Sequence, residues 1–133
     1  MNQIHPSAII GENVRMGDGN QIFSHCFIGH DVQIHNRVFM TAGCRIAGTV
    51  TIQDQVNLGM GSLVRERLTL GKGAQIGMGA VVVRDVLPYE TVVGNPARSL
   101  GLNIRNISTY VSRKRFGLPY RLLMKLWNFI YKL

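Results

Sequence analysis

Every sixth residue from Ile4 is a large apolar side chain: Ile4, Ile10, Met16, Ile22, Ile28, Ile34, Met40, Ile46, Ile52, Leu58, Val64, Leu70, Ile76 and Val82. The residue two before each is usually small or β-branched, as at Ala8, Val14, Cys26, Val32, Val38, Cys44, Val50, Val56, Ser62, Ala74 and Ala80. Glycine often follows directly, at Gly11, Gly17, Gly29, Gly59, Gly71 and Gly77, which suggests corners that use its backbone freedom. An amphipathic helix returns its apolar stripe every 3.6 residues and cannot give a period of six. A lone strand explains only the two-residue alternation inside each unit. The pattern therefore predicts a coil of three short strands joined by corners, with the large apolar residues pointing inward. Fourteen hexapeptides, three to a coil, make between four and five coils. Each coil buries its apolar side only by stacking on its neighbours, as solenoids do.

The repeat stops near Arg98, and the tail has a different character. From Leu118 it reads LPYRLLMKLWNFIYKL, with Arg121, Lys125, Asn128 and Lys132 forming one polar stripe on an otherwise apolar helix. Two segments are expected: a coil domain over 1–98 and a basic, amphipathic, helical tail over 99–133. The net charge of +8 belongs almost wholly to that tail. Residues 1–98 hold eight Lys or Arg against seven Asp or Glu, whereas 99–133 hold seven basic residues and no acid. An anionic partner for the tail follows, and an anionic membrane surface suits its apolar, aromatic-bearing helix. The competing expectation is that the tail packs on the coils. No aromatic–basic surface or motif argues for nucleic acid. The composition, 46% hydrophobic and 17% charged, is in the globular range. Met1–Ile10 shows no basic start followed by an apolar run, so the chain reads as cytoplasmic, peripheral at most at the inner face of the membrane.

The 18-residue period acts as a ruler, placing matching positions of successive coils one above the other. Cys26 and Cys44 are so related and read as a ladder of buried, reduced thiols. Among the four histidines, His30 stands out. In Ile28-Gly29-His30-Asp31-Val32 it lies two residues past an inward apolar position, near a corner and facing outward. One coil further on stands Gly48, which would leave an open slot with an exposed backbone N–H. A base, a space and a preformed donor are what acyl transfer from a thioester requires.

Over His5 to about Arg98 the chain resembles the hexapeptide-repeat acyltransferases, and Val92-Val93-Gly94-Asn95-Pro96-Ala97-Arg98 is similar to their exit from the coil. The resemblance implies a left-handed parallel β-helix, against the usual right-handed crossover preference. It also implies a homotrimer with active sites between neighbouring prisms. The His30 stretch resembles the sialic-acid and bacillosamine-type sugar acetyltransferases, and also the lipid A acyltransferases. Carried over, His30 is the general base, Asp31 orients it or raises its basicity, and the Gly48 N–H receives the thioester oxyanion. Acetyl-CoA is then the co-substrate and no metal is expected. Phe39, Met60 and Met78 match the CoA contact positions, and Arg84 and Arg98 are candidates for its phosphates. Phe39 departs from the pattern, since a histidine often stands there. The chain also starts directly in the coils at Ile4, without the sugar-nucleotide domain that often precedes them. The resemblance implies transfer of acetyl to an amino or hydroxyl group of a sugar or nucleotide-sugar, while these departures leave the particular sugar open.

Two other functions fit the same fold. γ-Type carbonic anhydrases hold zinc between histidines, and His25/His30 and His30/His35 have a similar five-residue spacing. A third ligand would fall two coils earlier, before Met1, so the three-histidine site lacks a member. The other alternative is a β-helix that serves assembly without catalysis.

Overall fold

The structure, a computed structural model, describes residues 1–102; the helix expected in the tail, and its basic residues, lie outside the described residues. Sixteen short strands wind into a prism with three faces. The first face stacks β1 (Gln3–Ile4), β4 (Gln21–Ile22), β7 (Phe39–Met40), β10 (Asn57–Leu58), β13 (Gln75–Ile76), β15 (Glu90–Val93) and β16 (Arg98–Leu102). The second stacks β2 (Ile9–Ile10), β5 (Phe27–Ile28), β8 (Arg45–Ile46), β11 (Leu63–Val64) and β14 (Val81–Val82). The third stacks β3 (Arg15–Met16), β6 (Gln33–Ile34), β9 (Thr51–Ile52) and β12 (Thr69–Leu70). From β1 to β14, neighbours on a face run parallel in the register of the repeat, as in Gln3↔Gln21 and Phe27↔Arg45. The fold is thus the left-handed parallel β-helix that the period and the resemblance together imply.

The apolar ladder fills the prism. From Ile22 to Val82 every sixth residue is buried, as are Cys26, Cys44, Ser62, Ala74 and Ala80 at the small positions two before. Burying one such aliphatic side chain contributes about 1.5–3 kcal/mol. Ile4 and Ile10 remain 39% and 38% exposed, at the end of the stack that no other described coil covers. Cys26 and Cys44 are free thiols in the core, donating to the carbonyls of Thr41 (3.2 Å) and Gly59 (3.1 Å). Burial pushes the Cys44 thiol above its ordinary pKa. Asn20 takes a small position and is fully buried, its Oδ1 accepting from Val38 N and its Nδ2 donating to His35 O.

The corners correct one expectation. The glycines directly after the ladder residues do not serve backbone freedom, because none of them has a positive φ. The left-handed residue comes two positions later, at Asn13, His25, Asp31, Arg37, Thr49, Gln55 and Arg67 and at glycines such as Gly61 (φ 69°). Gly29 and Gly59 are needed for close stacking instead: a Cβ on Gly29 would stand 2.9 Å from the Ala47 carbonyl carbon, and one on Gly59 2.5 Å from Met78 N.

The ladder also runs past Val82 in altered register. Leu70 bridges Val86 and Ile76 pairs with Val92, where the full period would bring Pro88 and Gly94, so the last coil is shorter than the rest. Val86 and Val92 are buried and complete its core. A cis Asn95–Pro96 bond follows, and β16 then turns back antiparallel along β15. Arg98, where the sequence places the end of the repeat domain, begins that strand.

Candidate active site

Residues two past a ladder position on the second face lie at the edge where it meets the third. Glu12, His30, Gly48, Glu66 and Arg84 occupy that edge in successive coils. His30 is exposed there, its side chain 67% accessible. Its Nδ1 lies 2.8 Å from Asp31 Oδ2. Asp31 Oδ1 in turn accepts from Asn13 Nδ2 at 2.6 Å, one coil below. The Asn13 amide first, and His30 second, hold the Asp31 carboxyl below its ordinary pKa. A carboxylate only accepts, so Nδ1 carries a proton, and in the neutral ring Nε2 holds the lone pair. That is the tautomer of a general base.

Gly48 sits directly against this ring. A Cβ there would lie 2.6 Å from His30 Nε2 and 2.7 Å from Cε1. The expected open slot is therefore occupied by the imidazole itself, and the glycine is required by the ring, since its φ is not positive. Its carbonyl accepts from Arg67 N, while its N–H has no protein acceptor among the described residues. Among the described residues the N–H of His30 is equally free, so an unpaired donor belongs to this kind of corner; what Gly48 adds is a histidine ring beside it.

The remaining candidates lie elsewhere in the single chain. Met60 and Met78 stand one above the other on the edge between the first and second faces, 56% and 77% exposed. Phe39 is half-buried on the first face, edge-on to Phe23 with centroids 5.0 Å apart. Arg84 shares the His30 edge, three coils on, or about 14 Å at 4.8 Å per coil. Arg98 is exposed on β16 of the first face, away from Arg84. Between the His30 edge and the methionine edge lies the second face. Its outward Ile9, Phe27 and Leu63 are exposed, and Phe27, Arg45, Ala47 and Leu63 help line a shallow groove of about 340 Å³. His25, His30 and His35 fall at three different edges, because a five-residue step carries each to the next corner. Among the described residues no three His, Cys, Asp or Glu side chains converge as a metal site.

Sequence reasoning missed Asn13 and the apolar second face. The ruler could have found Asn13, one full period before Asp31. The outward apolar positions could have been read from the residue before each ladder position.

Fold and corner define a left-handed hexapeptide-repeat β-helix carrying a histidine–carboxylate pair on one edge. No family model and no curated protein sequence matches the chain. Solved structures do match. The acetyltransferase domain of PglB from Neisseria gonorrhoeae, in complex with acetyl coenzyme A, is 30% identical over 74% of this chain and 54% of its own, with a TM-score of 0.61. A mutant of GDP-perosamine N-acetyl transferase from Caulobacter crescentus, in complex with CoA and GDP-perosamine, is 28% identical over 76% and 57%, with a TM-score of 0.59. The Arabidopsis UDP-N-acetylglucosamine acyltransferase is 29% identical over 88% and 42%, with a TM-score of 0.67. This chain thus spans only 54%, 57% and 42% of their lengths. These neighbours are hexapeptide-repeat acyltransferases, and this chain shares their β-solenoid.

Proposed function

We propose that this protein is an acyltransferase that moves acetyl from acetyl-CoA to an amino or hydroxyl group of a sugar or nucleotide-sugar, with His30 as general base. The observation that carries the reading is the His30 ring, held at Nδ1 by Asp31 and presenting Nε2 beside the free N–H of Gly48. The relatives' acetyl-CoA, CoA and nucleotide-sugar complexes support the substrate class.

Acetyl-CoA supplies the activated carbonyl. His30 Nε2 takes the proton of the attacking amine or hydroxyl as the new C–N or C–O bond forms. The Gly48 N–H donates to the carbonyl oxygen as its charge grows. When the C–S bond breaks, the proton on Nε2 passes to the CoA sulfur, which leaves as the thiol and restores the base. Asp31 stays ionised throughout and stabilises the imidazolium between the two transfers.

The methionine edge and the His30 edge are a whole face apart, so within one copy a donor touching both must cross that face. A homotrimer that places Met60 and Met78 of one copy opposite His30 of the next brings the two edges together. Arg84, on the His30 edge, suits a CoA phosphate, and Arg98 serves the same role only from another copy. The tail is proposed to rest on the anionic inner face of a membrane, in keeping with its seven basic residues and no acid.

The test uses purified full-length protein, acetyl-CoA and a panel of amino and hydroxy nucleotide-sugars that includes GDP-perosamine, followed by release of free CoA thiol. Transfer by the wild type is expected to fall at least tenfold in kcat in His30→Ala, since general-base catalysis contributes about 10²–10⁴-fold. An unimpaired His30→Ala enzyme defeats the assignment of the base.

A further inference from the structure

We propose that Asn13 is a positioning residue: its side-chain amide holds the Asp31 carboxylate, and through it keeps the His30 ring oriented with Nε2 against Gly48. This inference rests on the reading of His30 as the base.

The connection runs across three coils on one edge. Asn13 Nδ2 lies 2.6 Å from Asp31 Oδ1, Asp31 Oδ2 lies 2.8 Å from His30 Nδ1, and His30 Nε2 lies 2.6 Å from where a Cβ of Gly48 would be. The two carboxylate oxygens thus have different tasks. One is anchored by a neutral amide; the other is left for the imidazole. Asp31 and His30 are both exposed, at 49% and 67% of the side chain, so packing does not fix them. Without an anchor the carboxylate would rotate in water and the ring with it. A charge-assisted bond from an amide is strong enough to select one rotamer.

Backbone geometry alone does not account for the asparagine. Asn13 has φ 58°, where asparagine is tolerated, but equivalent corners hold arginine, threonine, glutamine or glycine at similar φ. A polar ladder alone does not account for it either. Asn36 Nδ2 donates to Asp54 Oδ1 at 3.2 Å on another edge, and no histidine is bonded to that carboxylate. Among the described residues, only at Asn13 does such a ladder end on an imidazole. The donor's neutrality also matters. A lysine or arginine at 13 would anchor Asp31 but would cancel the charge that must steady the imidazolium.

The left-handed φ supplies a clean variant. Asn13→Gly removes the amide at a position where glycine is conformationally at ease, and Asn13→Asp keeps the shape while replacing the donor by an acceptor. The experiment is long-range ¹H–¹⁵N correlation of the histidine rings in labelled full-length protein, with ¹³C titration of the Asp31 carboxyl. In wild type His30 is expected to be in the Nδ1–H tautomer. Asn13→Gly should convert it to a mixture of tautomers and raise the Asp31 titration toward the ordinary carboxylate value. Asn13→Asp should do so more strongly. With GDP-perosamine or whichever panel acceptor is turned over, kcat should fall about ten- to a hundredfold, the usual range for losing a group that orients a functional histidine. KM for acetyl-CoA should stay within about twofold. A folded Asn13→Gly protein with wild-type tautomer and unshifted Asp31 overturns the positioning role, even where His30→Ala is inactive. A tautomer that responds as expected beside a fully active His30→Ala keeps the positioning role and removes the base instead.

Discussion

At Gly48 a single hydrogen stands where any other residue would put a carbon, and the nearest atom to that carbon is the nitrogen proposed to do the chemistry. Gly48→Ala would set a Cβ 2.6 Å from His30 Nε2, forcing the ring aside, and Gly48→Val would also crowd the N–H. The displaced group is the end of a flexible side chain and the φ of Gly48 is not positive, so the melting temperature should move little. We expect kcat to drop about 10²–10³-fold in Gly48→Val, the usual loss for an oxyanion donor. Steady-state kinetics beside a thermal melt checks this; a large fall in melting temperature with normal kcat refutes it. Asp31 supplies a pH statement. Its folded pKa is lowered, so its stabilising contribution is present above the unfolded value and is lost as pH falls through the folded one. An acid limb of activity near neutrality therefore does not come from Asp31.

The short strands and their corners follow from a rule visible in the bare sequence, and one part of that rule has a different cause from the one the sequence suggests. Period, coil length, inward ladder and small companion positions could all be read from Ile4 to Val82, because a two-residue strand has one inward side chain and sequence alone reports it. The glycines after the ladder could not be explained that way, since the crowding they avoid comes from the coil stacked against them. Two substitutions separate the causes. Gly59→Ala drives a Cβ to 2.5 Å from the backbone of the next coil, whereas Gly61, at φ 69°, has nothing within 4 Å of its Cβ. Gly61→Ala should cost about 1–2 kcal/mol, the left-handed penalty for an L-residue. Gly59→Ala should cost more, because backbone must move. Equal denaturant midpoints for the two variants would contradict this. The shortened last coil was equally hidden, as Val86 and Val92 fall out of the six-residue count. At the candidate site, His30 and Gly48 could be paired because they stand one period apart, and Asp31 because the resemblance puts an acid directly after the histidine. Asn13 was missed, although it stands one period before Asp31. The separation of Met60 and Met78 from His30 by a whole face follows from the six-residue offset between their columns, since both fall six residues short of the His30 column at 66 and 84.

For the molecule as a whole, the division between a body with eight basic and seven acidic residues and a tail with seven basic residues predicts salt-sensitive attachment. Near an anionic surface each basic residue contributes about 1 kcal/mol. Full-length protein should sediment with anionic vesicles at low salt and be released as salt rises. Changing Arg113, Lys114, Arg115, Arg121 and Lys125 to glutamine should leave it in the supernatant. If wild type does not sediment at low salt, the membrane reading fails.

The uniform pairing of the coils below Val82 has a further bearing, on how such a protein can be altered. Asn13, His30, Asp31 and Gly48 all lie in the first three coils, so the contacts among these four are complete by Thr49, with Arg84 further along the same edge. A whole coil duplicated beyond Thr49 lengthens the grooves along the prism and resets the distance from His30 to Arg84, without touching the atoms that carry the proton. The same duplication between Asn13 and Gly48 interrupts the chain of contacts. Reach along the axis and the contacts at the His30 corner can therefore vary independently, so a longer prism could take a longer molecule without disturbing the Asn13–Asp31–His30 connection.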